Sequence, residues 1–467
     1  MSIYRYKVKT FKPKLNKVIK QSFSASKQSF SSSKQSFSSS KLALRLIPLG
    51  GIGDVTKNMY VYEYGNDIII IDCGVGFPDE NMPGVDLVIP DISYLRGKKD
   101  KVKGIIITHG HEDHIGGLPF LWPELEVPIY TRKLTAGFIR SKFTEHNLPK
   151  NKIFEVKMED TLQLGVFRVS FYQVSHSIPD SMGIVIDTPV GRIVHQADFK
   201  IDWTPPSGQT TDVSRAALIG QQGVKLLLTD CLRVEKPGFN LSEQSIEGSF
   251  EKVTMQTKGK LLITMTSSNI SRIQQAINVA IKYGRKVVLS GRSIENNFQV
   301  ARDLGYLHVP AGLVVALDSI NSFADSKLLV LIAGAYGQPG SSLSRVAGGV
   351  HKQIRLQEGD GVIFSADPIP STESAQYALI DNLILAGADV HYSAITSNLH
   401  VSGHAAEGEL RLMVGLLKPE YMIPIGGQFK HMKLFKEVFM GAGYSKDKVI
   451  LPVNGNIILI SQDGIKV

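Results

Sequence analysis

Residues 108–117 read THGHEDHIGG, directly after the apolar run VKGIIIT at Val102–Thr108. That run is bounded by charges, carries its own glycine and is too short for a helix, so it predicts a buried strand. His109 and His111 are two apart, and on an extended segment both side chains point to one side. Asp113 and His114 follow one turn later, where a helix can begin, and can face the same point from another direction. Three of the chain's 12 histidines fall within these six positions. Imidazole and carboxylate donors without thiolates suit zinc or manganese.

A pair of metals needs ligands from elsewhere as well. His176 lies in QVSHSIPDS after the strand-like Phe167–Val174, and Asp198 lies in HQADFK after the strand-like Gly191–Val194. A carboxylate has two oxygens, which makes Asp198 the candidate to bridge two ions. Asp72 ends the run DIIIID, where a buried acid can orient a ligand imidazole. Further short apolar runs at Leu226–Leu228, Leu261–Thr264 and Val287–Leu289 alternate with helical patterns such as Ser271–Gly284. Alternation of this kind predicts an α/β or αββα layered body.

The rest of the composition narrows the class. The chain has 467 residues, 43% hydrophobic and 20% charged, which excludes collagen, a coiled-coil rod and wholesale disorder. No apolar run reaches the roughly 18–20 residues that cross a bilayer. Two cysteines, Cys73 and Cys231, leave no scope for a disulfide framework and predict a reducing, cytoplasmic setting. The net charge of +9 is unevenly placed: residues 1–41 hold ten Lys or Arg and no acid, so the remainder is close to neutral. Within that tail, KQSFSAS–KQSFSSS–KQSFSSS repeats over residues 20–40 with a single Phe per copy. One apolar residue per two turns cannot build a coiled-coil seam, so the tail reads as disordered. A basic arm for phosphate backbones, a solvated linker and a transit peptide all fit such a composition.

From about Leu42 onward the chain resembles the ribonuclease J family, in the β-CASP branch of the metallo-β-lactamase superfamily. The carrying segments are LIPLGGIGDVTKNM at 46–59, ITHGHEDHIGGLPF at 107–120 and VHQADFKID at 194–202. SSNISRIQQAI at 267–277, GRSIEN at 291–296 and HVSGHAAEGELRLM at 400–413 continue the set. The resemblance implies an αββα sandwich with an inserted α/β β-CASP domain. The expected divisions are a first sandwich part at 42–216, the insert at 217–361 and a return segment at 362–467. It also implies two Zn²⁺ ions, with Mn²⁺ or Mg²⁺ as substitutes, and 5′→3′ exonuclease or endonuclease action on single-stranded, 5′-monophosphorylated RNA. Carried over by residue, His109, His111, His176 and Asp198 hold one metal, and Asp113, His114 and the bridging Asp198 the other. Asp113 and His404 are then the catalytic candidates, with Asp230 at the branch's first acidic motif. Ser268, Asn269, His400, Ser402, Gly403 and His404 match the substrate pocket. A homodimer, or a heteromer with another ribonuclease, is the expected assembly.

The pattern breaks at one place. The family carries a further metal-ligating histidine in a segment reading PIHGE, 22 positions after the residue matching His404. Here residues 424–428 read PIGGQ, so Gly426 stands where the ligand belongs. A water, the RNA phosphate or His431 could replace it, the last disfavoured by reach. Either the second site is weakened and the enzyme slow, or the chain is a paralogue that binds RNA beside an active nuclease. The chain also ends soon after PVNGNIILISQDG at 452–464, which reads as the close of the catalytic core without the family's extra C-terminal domain.

Overall fold

The computed structural model describes residues 43–78, 82–369 and 372–467, so the expected disorder of the basic tail lies outside the described residues. The run Asp67–Ile71 shows why the architecture is layered. Ile68 and Ile70 enter one apolar core, Ile69 and Ile71 another, and all four are fully buried. A strand covered on both faces reads as continuous apolar sequence rather than as alternation.

This strand sits inside an eight-stranded mixed sheet. In spatial order the strands are Gly464–Lys466, Ile458–Ser461, Leu44–Gly50, Met59–Tyr64, Asp67–Ile71, Val102–Ile106, Ile129–Thr131 and Ile153–Glu155. Leu44 pairs with Ile460, so the last strands complete the sheet that the first strand begins. A second, six-stranded sheet orders Pro419–Ile425, Val224–Asp230, Gly191–His195, Met182–Thr188, Phe167–Gln173 and Thr161–Leu164. Tyr60, Tyr62, Ile69 and Ile71 of the first sheet share one core with Phe167, Val169, Phe171 and Ile184 of the second. Helices Leu118–Leu125 and Lys133–Glu145 cover the first sheet's other face. Helices Val213–Gln221, Glu407–Leu417 and Phe429–Gly441 pack with the second. The result is the expected αββα sandwich.

A third sheet is all parallel: Val314–Val315, Lys286–Ser290, Leu328–Ile332, Leu261–Met265, Gly361–Ser365 and Asp389–His391. Its membership differs from the expected divisions at 217 and 361. Val224–Asp230 belongs to the sandwich, pairing with Gly191–His195 and Pro419–Ile425. Gly361–Ser365 and Asp389–His391 belong to the inserted sheet, though the expected return segment began at 362. Buried parallel strands read alike wherever they sit, so pairing, and not composition, assigns them.

Candidate metal centre

Strand Val102–Ile106 ends five residues before His111, which stands at the N-cap of the one-turn helix Glu112–Ile115. The turn brings Asp113 and His114 back toward His109. It needs a glycine opposite: a Cβ on Gly74 would lie 1.6 Å from the Asp113 carbonyl oxygen. Two non-glycine residues adopt left-handed backbone beside the cluster, Asp72 at φ 60° and Ala197 at φ 52°. Such conformations cost energy and concentrate at functional sites. Here they turn the chain at the ends of two strands and deliver Asp72 and Asp198.

Hydrogen bonds place the Nδ1 protons of three of these imidazoles, His114, His109 and His176. Asp72, an acceptor only, takes the Thr108 hydroxyl at 2.9 Å and His114 Nδ1–H at 2.7 Å. Having donated to Asp72, Thr108 Oγ1 must accept from His109 Nδ1–H at 3.0 Å. His176 Nδ1–H donates to the Gly403 carbonyl at 2.7 Å. His109 Nε2 and His176 Nε2 are therefore bare lone pairs. Each lies 3.1 Å from His111 Nδ1, whose other nitrogen meets the Ser177 hydroxyl. Burial first, and then repulsion from a neighbouring imidazole (His114 for His109, His176 for His111), hold these two well below the usual imidazole range; burial likewise brings His176 down to about 3. The bare Nε2 atoms of His109 and His176, converging with His111 on one point, are a donor set that a cation satisfies. Together with Asp198 they form a group whose ligand atoms all lie within 4.8 Å.

A second such group is Asp113, His114 and Asp198. Asp198 Oδ2 stands 3.4 Å from His114 Nε2, 3.6 Å from His109 Nε2 and 3.8 Å from His176 Nε2, which is the position of a shared ligand. Burial pushes the Asp113 carboxyl up to about 6. Burial opposes charge on His114 too, yet Asp113, Asp72 and Asp198 outweigh it and raise its pKa well above the usual value. Positive charge is demanded at this point, and a divalent ion supplies it as well as a proton does. The residues fit two metals, but the second has three protein ligands. Gly426 has φ +63°, and a Cβ there would meet only Asp198 Oδ1 at 3.6 Å and Asp230 Oδ1 at 3.8 Å. The position faces the cluster and has nothing to contribute. His431 offers no replacement, because its Nδ1 accepts from the Gln428 backbone while Nε2 faces Glu235.

On the open side, His404 Nδ1 meets Asp230 Oδ2 at 2.9 Å and Asp198 Oδ2 at 4.0 Å. These carboxylates overcome the burial penalty and lift His404 to about 9, so it stands as a proton donor at neutral pH. The substrate candidates divide. Ser402 Oγ accepts from the His404 backbone, and Gly403 packs so closely on His176 that a Cβ would lie 2.8 Å from its ring. Asn269 caps helix Ile270–Lys282 through Arg272 N–H, and His400 Nδ1 accepts from the Arg272 guanidinium at 3.0 Å. Both side chains are thus spent on protein partners, whereas Ser268 has no side-chain hydrogen bond among the described residues.

Arg272 is what sequence reading missed. Fully buried, it pairs with Glu243 at 2.7 Å and donates to the Ser365 and Val401 carbonyls. It thereby ties helix Ile270–Lys282, the end of strand Gly361–Ser365 and the loop carrying His404 into one block. An arginine inside a largely apolar helix pattern was the only available signal. Thr108, whose hydroxyl links Asp72 to His109, gave none.

Comparison with known proteins agrees with this architecture. The family model described as metallo-beta-lactamase superfamily matches residues 52–214. Ribonuclease J, beta-CASP domain, matches 258–383, and the Zn-dependent metallo-hydrolase RNA specificity domain matches 387–452. Ribonuclease J 1 of Streptococcus pyogenes is 38% identical over 420 residues, 90% of this chain and 75% of that one. Ribonuclease J2 of Bacillus subtilis is 37% identical over 91% of this chain and 76% of its own. Ribonuclease J of Helicobacter pylori is 39% identical over 91% of this chain and 62% of its own length. A solved structure titled as a protein of unknown function from Enterococcus faecalis shares the fold, with TM-score 0.62 at 16% identity over 89% of this chain and all of that one. A metallo-β-lactamase sandwich interrupted by a β-CASP domain, with its histidines and carboxylates gathered at one point, places this chain in the ribonuclease J family of metal-dependent, phosphodiester-hydrolysing enzymes.

Proposed function

We propose that the chain hydrolyses single-stranded RNA, as a 5′→3′ exonuclease with a preference for a 5′-monophosphate and a capacity for internal cleavage. The observation that carries the reading is the convergence of His109, His111, His176 and Asp198, two of the imidazoles presenting bare Nε2 atoms, beside a protonated His404. His109, His111, His176 and Asp198 would hold one divalent ion, Zn²⁺ by donor type; Asp113, His114 and Asp198 would hold a second, for which Mn²⁺ or Mg²⁺ also suit. Bound there, divalent ions lower the pKa of water toward neutrality and neutralise charge on a phosphate.

The chain's own residues do the rest. Asp72 and Thr108 fix the tautomers of His114 and His109, and Gly403 fixes that of His176. Asp230 orients His404 so that its Nε2–H points away from the carboxylates, where it can give a proton to the departing ribose oxygen. Ser268, Ser402 and the backbone around Gly403 form the small-residue surface proposed for the terminal phosphate. Action in the cytoplasm, with Cys73 and Cys231 as buried free thiols, completes the reading. Among the described residues no helix is long and apolar enough to cross a membrane.

Gly426 favours a second reading, in which the chain binds RNA as partner of an active nuclease and cleaves it scarcely. Titration of 5′-monophosphorylated RNA with purified protein, with and without Mn²⁺, separates the two. Mononucleotide release supports the first reading; tight binding with no metal-dependent product supports the second.

A further inference from the structure

The inserted sheet has a crevice that the nuclease reading does not use. After strand Lys286–Ser290 the chain turns through helix Arg292–Asp303 to the edge strand Val314–Val315. After the neighbouring strand Leu328–Ile332 it turns through helix Ser342–Ala347 to Gly361–Ser365, on the other side of Leu261–Met265. The first helix buries Ile294 and Phe298 in one core, the second Leu343 and Val346 in another. Adjacent parallel strands whose helices leave to opposite faces open a crevice at their carboxyl ends, the usual ligand position in doubly wound sheets. A cavity of about 180 Å³ lies there.

Its floor is polar and buried. Ser290 Oγ and Ser342 Oγ are 2.5 Å apart, and His351 Nε2 lies 3.3 and 3.2 Å from them. His351 Nδ1 accepts the backbone N–H groups of Gln353 and Ile354, so the proton of the neutral ring sits on Nε2. That tautomer donates to serine and cannot deprotonate it, so the trio is not an activated nucleophile. With Nε2 protonated, neither hydroxyl can donate to His351 and only one can donate to the other serine, which leaves one hydroxyl hydrogen in need of an acceptor. The rim is basic: Arg292, Arg345 and Lys352 line the cavity, and none of the three makes a side-chain hydrogen bond or ion pair among the described residues. Glu295 is the one lining carboxylate, and it already accepts the Gly291 N–H at 2.9 Å.

We propose that this crevice binds the phosphate group of a nucleotide, at a position separate from the metal cluster. A phosphate brings the acceptor the floor lacks and the charge the rim lacks. The cavity is smaller than the roughly 300–1,000 Å³ that encloses a whole drug-sized ligand, so it takes the phosphate and leaves the base outside. The location suits an RNA strand that also reaches the metals, a step that rests on the nuclease reading. Strand Leu261–Met265, which leads to Ser268, lies two strands away on the same edge, about 10 Å at ordinary strand spacing. Ser293 Oγ and Ser267 Oγ, one from each side, meet at 3.0 Å.

The test uses the full chain with Mn²⁺ and two probes, a short single-stranded RNA and 5′-AMP, on the parent and on Arg345→Ala/Lys352→Ala. Both positions are exposed, so the variant should melt with the parent. RNA affinity should fall about tenfold, and the slope of log affinity against log salt should become shallower by about 0.7 for each lost phosphate contact, with turnover at saturating RNA unchanged. Arg345→Lys/Lys352→Arg should restore both. A parallel loss of AMP binding identifies free nucleotide as a ligand; loss with RNA alone identifies a strand phosphate. Unchanged affinity and slope for both probes overturn the proposal. If the parent neither binds nor cleaves RNA, the nuclease reading fails and the AMP arm alone decides the crevice.

Discussion

His404 and Asp230 meet at 2.9 Å although 174 residues separate them in the chain, because one lies in the loop before helix Glu407–Leu417 and the other ends strand Val224–Asp230. The pair sets the direction of the imidazole on the open side of the cluster, which we propose gives the proton. His404→Ala should lower single-turnover RNA hydrolysis about a hundredfold, the usual cost of removing one group that stabilises developing charge. Metal content by elemental analysis should stay that of the parent. Asp230→Asn, which keeps the shape but loses the charge, should fall between the two.

Occupancy of the metals should be unequal. Dialysed protein should retain about one ion per chain, since one donor set has four protein ligands and the other three. Gly426→His should raise the count toward two and increase the rate of the chemical step. The room beside Asp198 and Asp230 admits the side chain, but φ +63° makes any non-glycine residue there cost roughly 1–2 kcal/mol. Gly426→Ala measures that cost alone, as a fall in melting temperature without a gain in metal. A stable two ions in the parent would remove Gly426 from the account of activity.

Arg272→Met should destabilise the protein by about 3–5 kcal/mol, because it strands Glu243 as an unpaired buried charge. Arg272→Met with Glu243→Leu should cost clearly less. Urea unfolding midpoints give both values, and non-additivity between the single variants measures the coupling.

Glu63 gives a pH dependence away from the centre. Burial would raise its pKa, but hydrogen bonds from Lys98 and Tyr94 outweigh it and bring it below the ordinary value. A carboxyl depressed in the folded state adds stability that is present above its unfolded pKa, about 4.3, and is lost as pH falls through the folded one. Urea midpoints of the parent should therefore drop below about pH 4.5. Glu63→Gln should be about 1–2 kcal/mol weaker at pH 7 and should show a smaller drop.

The layered sandwich was legible because its strands carry unbroken apolar runs and its helices the 3.6 period. His109, His111, Asp113 and His114 were legible as a group because six consecutive positions at a strand end hold all four. Asp198 stood out less, and the structure puts it at the middle of the cluster. What could not be read was partner choice. Asn269 and His400 are small polar residues whose bonds go to Arg272, and nothing local in the sequence distinguishes that from facing a ligand. The limits of the inserted sheet were hidden for a related reason: Val224–Asp230 and Gly361–Ser365 are both short, buried, mainly apolar runs, and pairing alone assigns each to its sheet.

The pairing of Leu44 with Ile460 has a consequence for how the chain is made. A ribosome delivers the amino-terminal strands long before the carboxyl-terminal ones, so strand Leu44–Gly50 waits with one edge open through nearly the whole of synthesis. Contacts of such sequence separation form slowly, and an exposed apolar edge invites pairing with another nascent chain. His404 and strand Pro419–Ile425 also arrive late, so a growing chain holds an incomplete centre.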